Sequence, residues 1–218
     1  MIHPSWASPG RQLPAGRSVA MGPWRFTSAK RLHLRAPALS LLAAAMKVHV
    51  IGPSGAGKTT LACELGKRLG LPVYQLDDIA FTDTHWTIRP LPDKMKAVGD
   101  ILREPGWVVE GGHVGWTVPL LNAADVIIWL EIPLATTVAR RTRGLSARQL
   151  FAETPQIWWQ VRWYFRRYRA DQDIDRLPSA SAIRHFLKPR MAKVHRYRSN
   201  APVDVVEAVI RGVRAVGG

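Results

Sequence analysis

From Met46 onward, short apolar runs alternate with stretches whose apolar residues recur every three or four positions. The first pattern predicts buried strands and the second amphipathic helices. Their alternation predicts a parallel sheet covered on both faces. Lys47-Val48-His49-Val50-Ile51 reads as the first strand. Lys58 to Leu69 reads as a helix with Leu61, Leu65 and Leu69 on one side, stopped by Gly70 and Pro72. Val73-Tyr74-Gln75-Leu76 is a short second strand ending at Asp77-Asp78. A polar stretch from Phe81 to Pro92 leads into a helix from about Asp93 to Arg103, then into the strand Trp107-Val108-Val109, broken by Gly111-Gly112. Asp125 to Glu131 is the clearest strand, closed by Pro133, and a helix runs from there to about Arg143. Asp125 begins that strand and reads as structural, and Glu131 reads as a turn residue. His195 to Arg198 is the expected last strand and Val203 to Val216 the closing helix. Ahead of both, after the helix ending near Arg143, residues 145–177 read as an inserted helical piece. Trp158, Val161, Phe165 and Tyr168 form a stripe there, read as packing, beside a second stripe of Arg162, Arg166 and Arg169.

A length of 218 residues, 47% of them apolar, suits one α/β domain with a small insertion. The single cysteine, Cys63, excludes an intramolecular disulfide and fits a reducing compartment; its place early in a helix reads as core packing. No apolar run approaches the ~18 residues that span a membrane. Residues 1–45 hold six basic residues, no acidic one, and a ten-residue apolar run from Ala36 to Ala45. They read as a disordered, dispensable extension or a mis-called start ahead of the domain at 46–218, with a targeting segment as the competing reading. The net charge of +15 is uneven: residues 46–135 carry eight basic and ten acidic residues, residues 136–200 fifteen and four. Positive charge gathered in one late segment suits a polyanion, whether nucleotide phosphates, an anionic substrate or nucleic acid.

Chemistry enters with Gly52-Pro53-Ser54-Gly55-Ala56-Gly57-Lys58-Thr59, a full P-loop pattern between a buried strand and an amphipathic helix, with Thr60 next in line. Its glycines let the backbone curl so that N–H groups point at phosphate oxygens. The helix start adds its positive dipole end. Lys58 supplies a mobile charge for the β- and γ-phosphates of ATP, and the Thr59 hydroxyl is placed to ligate Mg²⁺.

Three carboxylates fall at carboxyl ends of predicted strands, where ligands of open α/β sheets gather. Asp77, with Asp78 as its competitor, is the candidate to orient an acceptor or take its proton. Glu110 is the candidate for the Mg²⁺ neighbourhood. Arg140, Arg141 and Arg143 end the helix after the fourth strand, where an arginine fork can stabilise charge on a moving phosphoryl group. Aromatics interleaved with arginines also allow single-stranded nucleic acid. The histidines show no metal-ligand spacing; His113 is a candidate to line an acceptor pocket.

With these pieces in hand, residues 46–218 resemble the adenylate-kinase-like branch of P-loop kinases, and most closely its "DNA topology modulation protein" members. The resemblance rests on Gly52 to Thr60, Leu76-Asp77, Trp86 with Arg89-Pro90, Trp107 to Gly111, Ala124 to Leu130, and Arg140 to Arg143. It implies a three-layer α/β/α fold with a five-stranded parallel sheet in the order 2-3-1-4-5. It also implies an acceptor region between strands two and three, and a helical lid at about 144–177. Glu110-Gly111 falls where nucleotide kinases carry an Asp-Gly pair near Mg²⁺ and acceptor, so Gly111 and Arg89 become acceptor-binding candidates. Arg140 falls at a lid arginine; Gly144 occupies the spacing of the second, which leaves Arg143 or Arg141 to serve.

The expected activity is transfer of the γ-phosphoryl group of Mg-ATP to a small-molecule or nucleotide acceptor, by a cytoplasmic monomer or homodimer without membrane attachment. The competing readings are a nucleic-acid-associated ATPase and a nucleotide-binding regulator with little turnover. A chain shortened to begin at Met46 is expected to fold and to bind ATP like the full-length protein, as thermal unfolding and calorimetry would show; loss of folding would refute dispensability of residues 1–45.

Overall fold

The computed structural model describes residues 46–82, 87–165, 179–199 and 201–216. Residues 1–45, Trp86, Arg166, Tyr168, Arg169 and most of the distal half of the expected lid lie outside the described residues.

Strands β1 (Lys47–Ile51), β2 (Val73–Gln75), β3 (Trp107–Gly111), β4 (Val126–Leu130) and β5 (Val194–Tyr197) pair in parallel in the order β2-β3-β1-β4-β5. Alternate residues of the central strands enter opposite cores, as the two-residue strand period requires. Val48, Val50, Val108, Val126, Ile128 and Leu130 pack on one face, under helix α1 (Lys58–Leu69). Helix α8 (Val203–Val216) covers the same face through Val206 and Ile210. Ile51, Trp107, Val109, Ile127 and Trp129 pack on the other. That face is closed by α2 (Leu76–Ala80), α3 (Leu91–Arg103), α4 (Val118–Ala123) and α7 (Ala180–Leu187). Helices α5 (Leu134–Thr142) and α6 (Ala147–Phe165) follow β4. Burial on both faces explains why the strands read as nearly continuous apolar runs.

Several expectations need correction. The second strand stops at Gln75, and Leu76 opens α2, so Asp77 and Asp78 lie in a first helical turn. The cause is local: Leu76, Ile79 and Ala80 fall on one helical face and are all buried. Helix α3 begins at Leu91 because Pro92 is tolerated in a first turn, where its missing N–H needs no partner. Helices α4 and α7 and the 3-10 turn Lys188–Lys193 were not foreseen. Cys63 is exposed, because α1 turns Leu61, Ala62, Leu65, Gly66 and Leu69 to the sheet instead. The aromatic stripe of α6 is not core where it is described: Trp158 and Phe165 are 69% and 75% exposed, and Phe151, outside the stripe, is 82% exposed.

His49 sits in β1 between Val109 and Ile127, fully buried, with neither ring nitrogen hydrogen-bonded. Burial lowers its pKa from 6.5 to about 3. The unfolded chain therefore takes up this proton near pH 6.5 while the folded chain resists until about pH 3, so the stability present above pH 6.5 is lost as pH falls through that window. Between pH 7 and pH 5 the loss from this group is expected to be about 2 kcal/mol. Urea unfolding at both pH values should show it in the wild type and not in His49→Leu; equal pH dependence of the two would refute the assignment.

Candidate functional site

The site lies at the carboxyl ends of β1 and β3, where the loop after β1 turns into α1. Gly52 must be glycine because a Cβ there would lie 2.5 Å from the Leu130 carbonyl oxygen at the end of β4. Gly55 and Gly57 adopt φ of 74° and 90°, a left-handed backbone that side chains disfavour. The loop is closed by Ala56 N–H donating to the Pro53 carbonyl. Lys58 Nζ folds back to donate to the Pro53 carbonyl oxygen at 2.9 Å. Burial pushes the Lys58 ammonium below its ordinary pKa, against the opposing pull of Glu110 and Asp77. Ser54, Thr59 and Thr60 are exposed beside it.

Two pairs of side chains flank this cradle. Thr59 Oγ1 donates to Glu110 Oε1 at 2.8 Å, joining the start of α1 to the end of β3. Glu110 is buried, and burial raises its pKa against the Lys58 charge and the Thr59 hydrogen bond; Asp77 and Asp78 add to the rise. Asp77 Oδ1 meets His113 Nε2 at 2.8 Å. Burial pushes Asp77 upward, but the His113 hydrogen bond and the charges of His113 and Lys58 outweigh it, so the carboxyl lies below its usual range. Asp78 is shifted upward by burial and by Asp77, which leaves Asp77 the better-stabilised anion of the two.

The donor set fits Mg²⁺. A hydroxyl and a carboxylate are hard oxygen ligands, and Mg²⁺ in nucleotide sites takes one or two such protein groups, completing its shell with water and phosphate oxygens. Among the described residues no group of three His, Cys, Asp or Glu could hold a metal ion by itself.

The remaining candidates divide. Arg140, on α5, reaches the cradle, with Nη1 3.4 Å from the Ala56 carbonyl oxygen. Arg143 is exposed at the end of α5, ahead of Gly144 at φ 75°. Arg89 stands one layer back: Nε donates to the Ile79 carbonyl at 3.0 Å and Nη2 to the Phe81 carbonyl at 3.1 Å, clamping the end of α2. Gly111 has a packing reason of its own, since a Cβ would lie 2.7 Å from Leu76 Cβ. Asp125 accepts the Lys47 backbone N–H at 2.8 Å, the structural role expected of it.

Glu131 is more than a turn residue. It accepts from Arg184 and Arg196, with Arg198 3.6 Å away, because one carboxylate follows β4 among three arginines. Arg196 also lies over the Trp129 ring, 4.8 Å from its centroid. Arg190 and Lys193 donate to Asn122, and Lys193 also to the Ala124 carbonyl, at the end of α4. Arg184, Arg190, Lys193, Arg196 and Arg198 of the late basic segment are thus partnered within the fold, although Arg184, Arg196 and Arg198 remain exposed. The Asp77–His113 pair escaped sequence reasoning as well, for the two residues are 36 positions apart and belong to no shared motif.

No protein-family model matches the chain. It is 30% identical over 87 residues to the uncharacterized protein YqaC of Bacillus subtilis (strain 168), a match covering 39% of this chain. The chain spans about half (49%) of the length of that curated relative. Similar solved structures include shikimate kinase from Acinetobacter baumannii in complex with shikimate (15% identity, TM-score 0.47, 82% of this chain and 98% of that one). Shikimate kinase from Aquifex aeolicus is 18% identical (TM-score 0.42, 79% and 100%). Deoxyadenosine kinase from M. mycoides with bound dATP is 15% identical (TM-score 0.44, 77% and 99%). Sheet order and cradle together decide the fold. It is a three-layer α/β P-loop fold on a five-stranded parallel sheet.

Gly111→Ala tests how this fold holds the site. The added methyl forces Leu76 and the start of α2 to shift, and Asp77 moves with its neighbour. Overpacking of this kind costs about 1–3 kcal/mol. A lowered melting temperature with ADP affinity retained is the expected result; an unchanged melting temperature would show the contact to be soft.

Proposed function

We propose that this protein is an ATP-dependent phosphotransferase that moves the γ-phosphoryl group of Mg-ATP to an acceptor held near Asp77. One observation carries the reading. Lys58, the Thr59–Glu110 pair and the Asp77–His113 pair stand in mutual electrostatic reach at one sheet edge, with Arg140 against the loop between them. A structural use of the glycine loop alone would not account for that convergence.

In this reading the backbone of Gly52 to Thr60 and the start of α1 hold the triphosphate, and Lys58 exchanges its Pro53 partner for phosphate oxygens. Mg²⁺, when bound, supplies charge neutralisation on the β- and γ-oxygens, with Thr59 and Glu110 as its protein neighbours. An acceptor oxygen forms the new bond to the γ-phosphorus as the bond to the ADP oxygen breaks, and the acceptor's proton passes to the Asp77 carboxylate. Asp77 is a weak base, as its lowered pKa requires. Phosphoryl transfer tolerates this, since its loose transition state asks for a well-placed acceptor more than for strong deprotonation. Arg140 and Arg143, at the end of α5, stabilise the charge that develops on the transferring group.

The acceptor class on this reading is a small molecule or nucleotide with a free hydroxyl or phosphate oxygen, and the setting is the cytoplasm, where ATP and Mg²⁺ are plentiful. No helix of the described residues is long and apolar enough to cross a membrane. The nucleic-acid reading, and with it the DNA-related role that the subgroup's name suggests, stands second; Arg184, Arg190, Lys193 and Arg196 of the basic segment already hold partners within the fold.

A phosphoryl-transfer screen with Mg-ATP over nucleosides, nucleotides, polyols and hydroxy acids tests the proposal. Lys58→Ala is expected to lower transfer at least about 100-fold. Activity surviving that change would sink the mechanism. Tight DNA binding that weakens steeply with salt, with no acceptor phosphorylated, would favour the nucleic-acid reading instead.

A further inference from the structure

The structure assigns His113 as the positioning residue that fixes the Asp77 carboxylate for the acceptor, an inference that rests on the phosphotransferase reading above. An ionised carboxylate only accepts hydrogen bonds, so the 2.8 Å contact makes His113 Nε2 the donor and Asp77 Oδ1 the acceptor. Asp77 keeps more than half of its side chain exposed, and Oδ2 makes no hydrogen bond among the described residues. One oxygen is anchored and the other is presented.

The anchor itself is rigid. The His113 side chain is 7% exposed, its ring 6.0 Å from Phe81 edge-on and 5.4 Å from Trp116. Its backbone carbonyl accepts from the buried Thr117 hydroxyl at 2.9 Å. Trp116 is held in turn beneath the buried Lys94 ammonium, 5.6 Å from its ring centroid. Phe81 is fixed from the other side by the Arg89 clamp on its carbonyl. Among the described residues, the hydrogen bond and ring contacts of the imidazole come from Asp77 of α2, Phe81 just after it and Trp116 in the loop before α4. A side chain buried only to fill the core would not need its polar atom directed at a half-exposed carboxylate.

A catalytic group misplaced by about 1 Å can lose on the order of 100-fold in rate. Releasing Asp77 from its anchor is therefore expected to lower turnover by about 10- to 100-fold and to leave nucleotide affinity unchanged. The experiment measures ADP release from Mg-ATP with a fixed panel of ribonucleosides, nucleoside monophosphates, hexoses and polyols, and Mg-ADP affinity by calorimetry. It compares the wild type with His113→Phe, His113→Gln, Asp77→Asn and the Asp77→Asn/His113→Phe double variant. Positioning predicts that His113→Phe loses turnover at unchanged Mg-ADP affinity and that His113→Gln, which keeps a donor, recovers part of it. It also predicts that His113→Phe adds no further loss to Asp77→Asn. Full multiplication of the two losses would show His113 acting on the fold at large and overturn the inference. So would wild-type turnover in a folded His113→Phe while Asp77→Asn is impaired, with the phosphotransferase reading intact. Unimpaired Asp77→Asn would instead remove the role given to Asp77, and the inference with it.

Discussion

Strand β1 is hydrogen-bonded on both sides, placing Val50 beside Glu110 of β3 and beside Ile128 of β4. The strands it joins are reached by connections that leave in opposite directions across the sheet, so the chain parts at the carboxyl end of β1. A parallel sheet wound both ways leaves a crevice at that point, and the first loop has to fill its floor. The other local features follow from this. Gly52 is bare because β4 ends directly against it. Glu110 meets Thr59 because β3 ends one strand away. Asp77 stands at the rim because β2, paired to β3 through Gln75 and Glu110, ends level with it.

How much of this was legible in the sequence depends on the range over which each feature is determined. The first strand and the helix after it were readable to the residue, because apolar periodicity and the glycines at positions 52, 55, 57 and 70 act within a few positions. The sheet order came from family resemblance and agrees with the pairing found. Helix α2 was missed because five residues are too few for a periodic signal, and Val73 to Leu76 reads equally well as strand. Cys63 was misplaced because Ala62 and Gly66 carry the close face of α1, where a Cβ on Gly66 would collide with Val73. Small residues share that face with Leu61, Leu65 and Leu69, so apolar spacing alone does not place Cys63.

The pairing of side chains was the least legible layer. Arg89 belongs to the right region, yet its charge serves three carbonyls of α2 and the loop after it. Glu131 gave no sign of the three arginines around it. The excess of basic residues after position 135 was real, and its first use is internal: arginines and lysines close the carbonyl end of α4 and the space between β4, β5 and α7. Counting charge along a chain locates where cations are made and says little about which of them already hold a partner.

The bond from Lys58 to the carbonyl of Pro53 has a further consequence. A lysine already satisfied by its own loop gives an incoming anion only the difference between two partners. A monodentate anion must break that internal bond for a single replacement, so it gains little. On the phosphotransferase reading, a chain of linked phosphates reaches the same ammonium while its other oxygens engage the loop amides, which offsets the exchange. On that reading, the resting contact therefore favours linked phosphates over a monodentate anion without any steric gate.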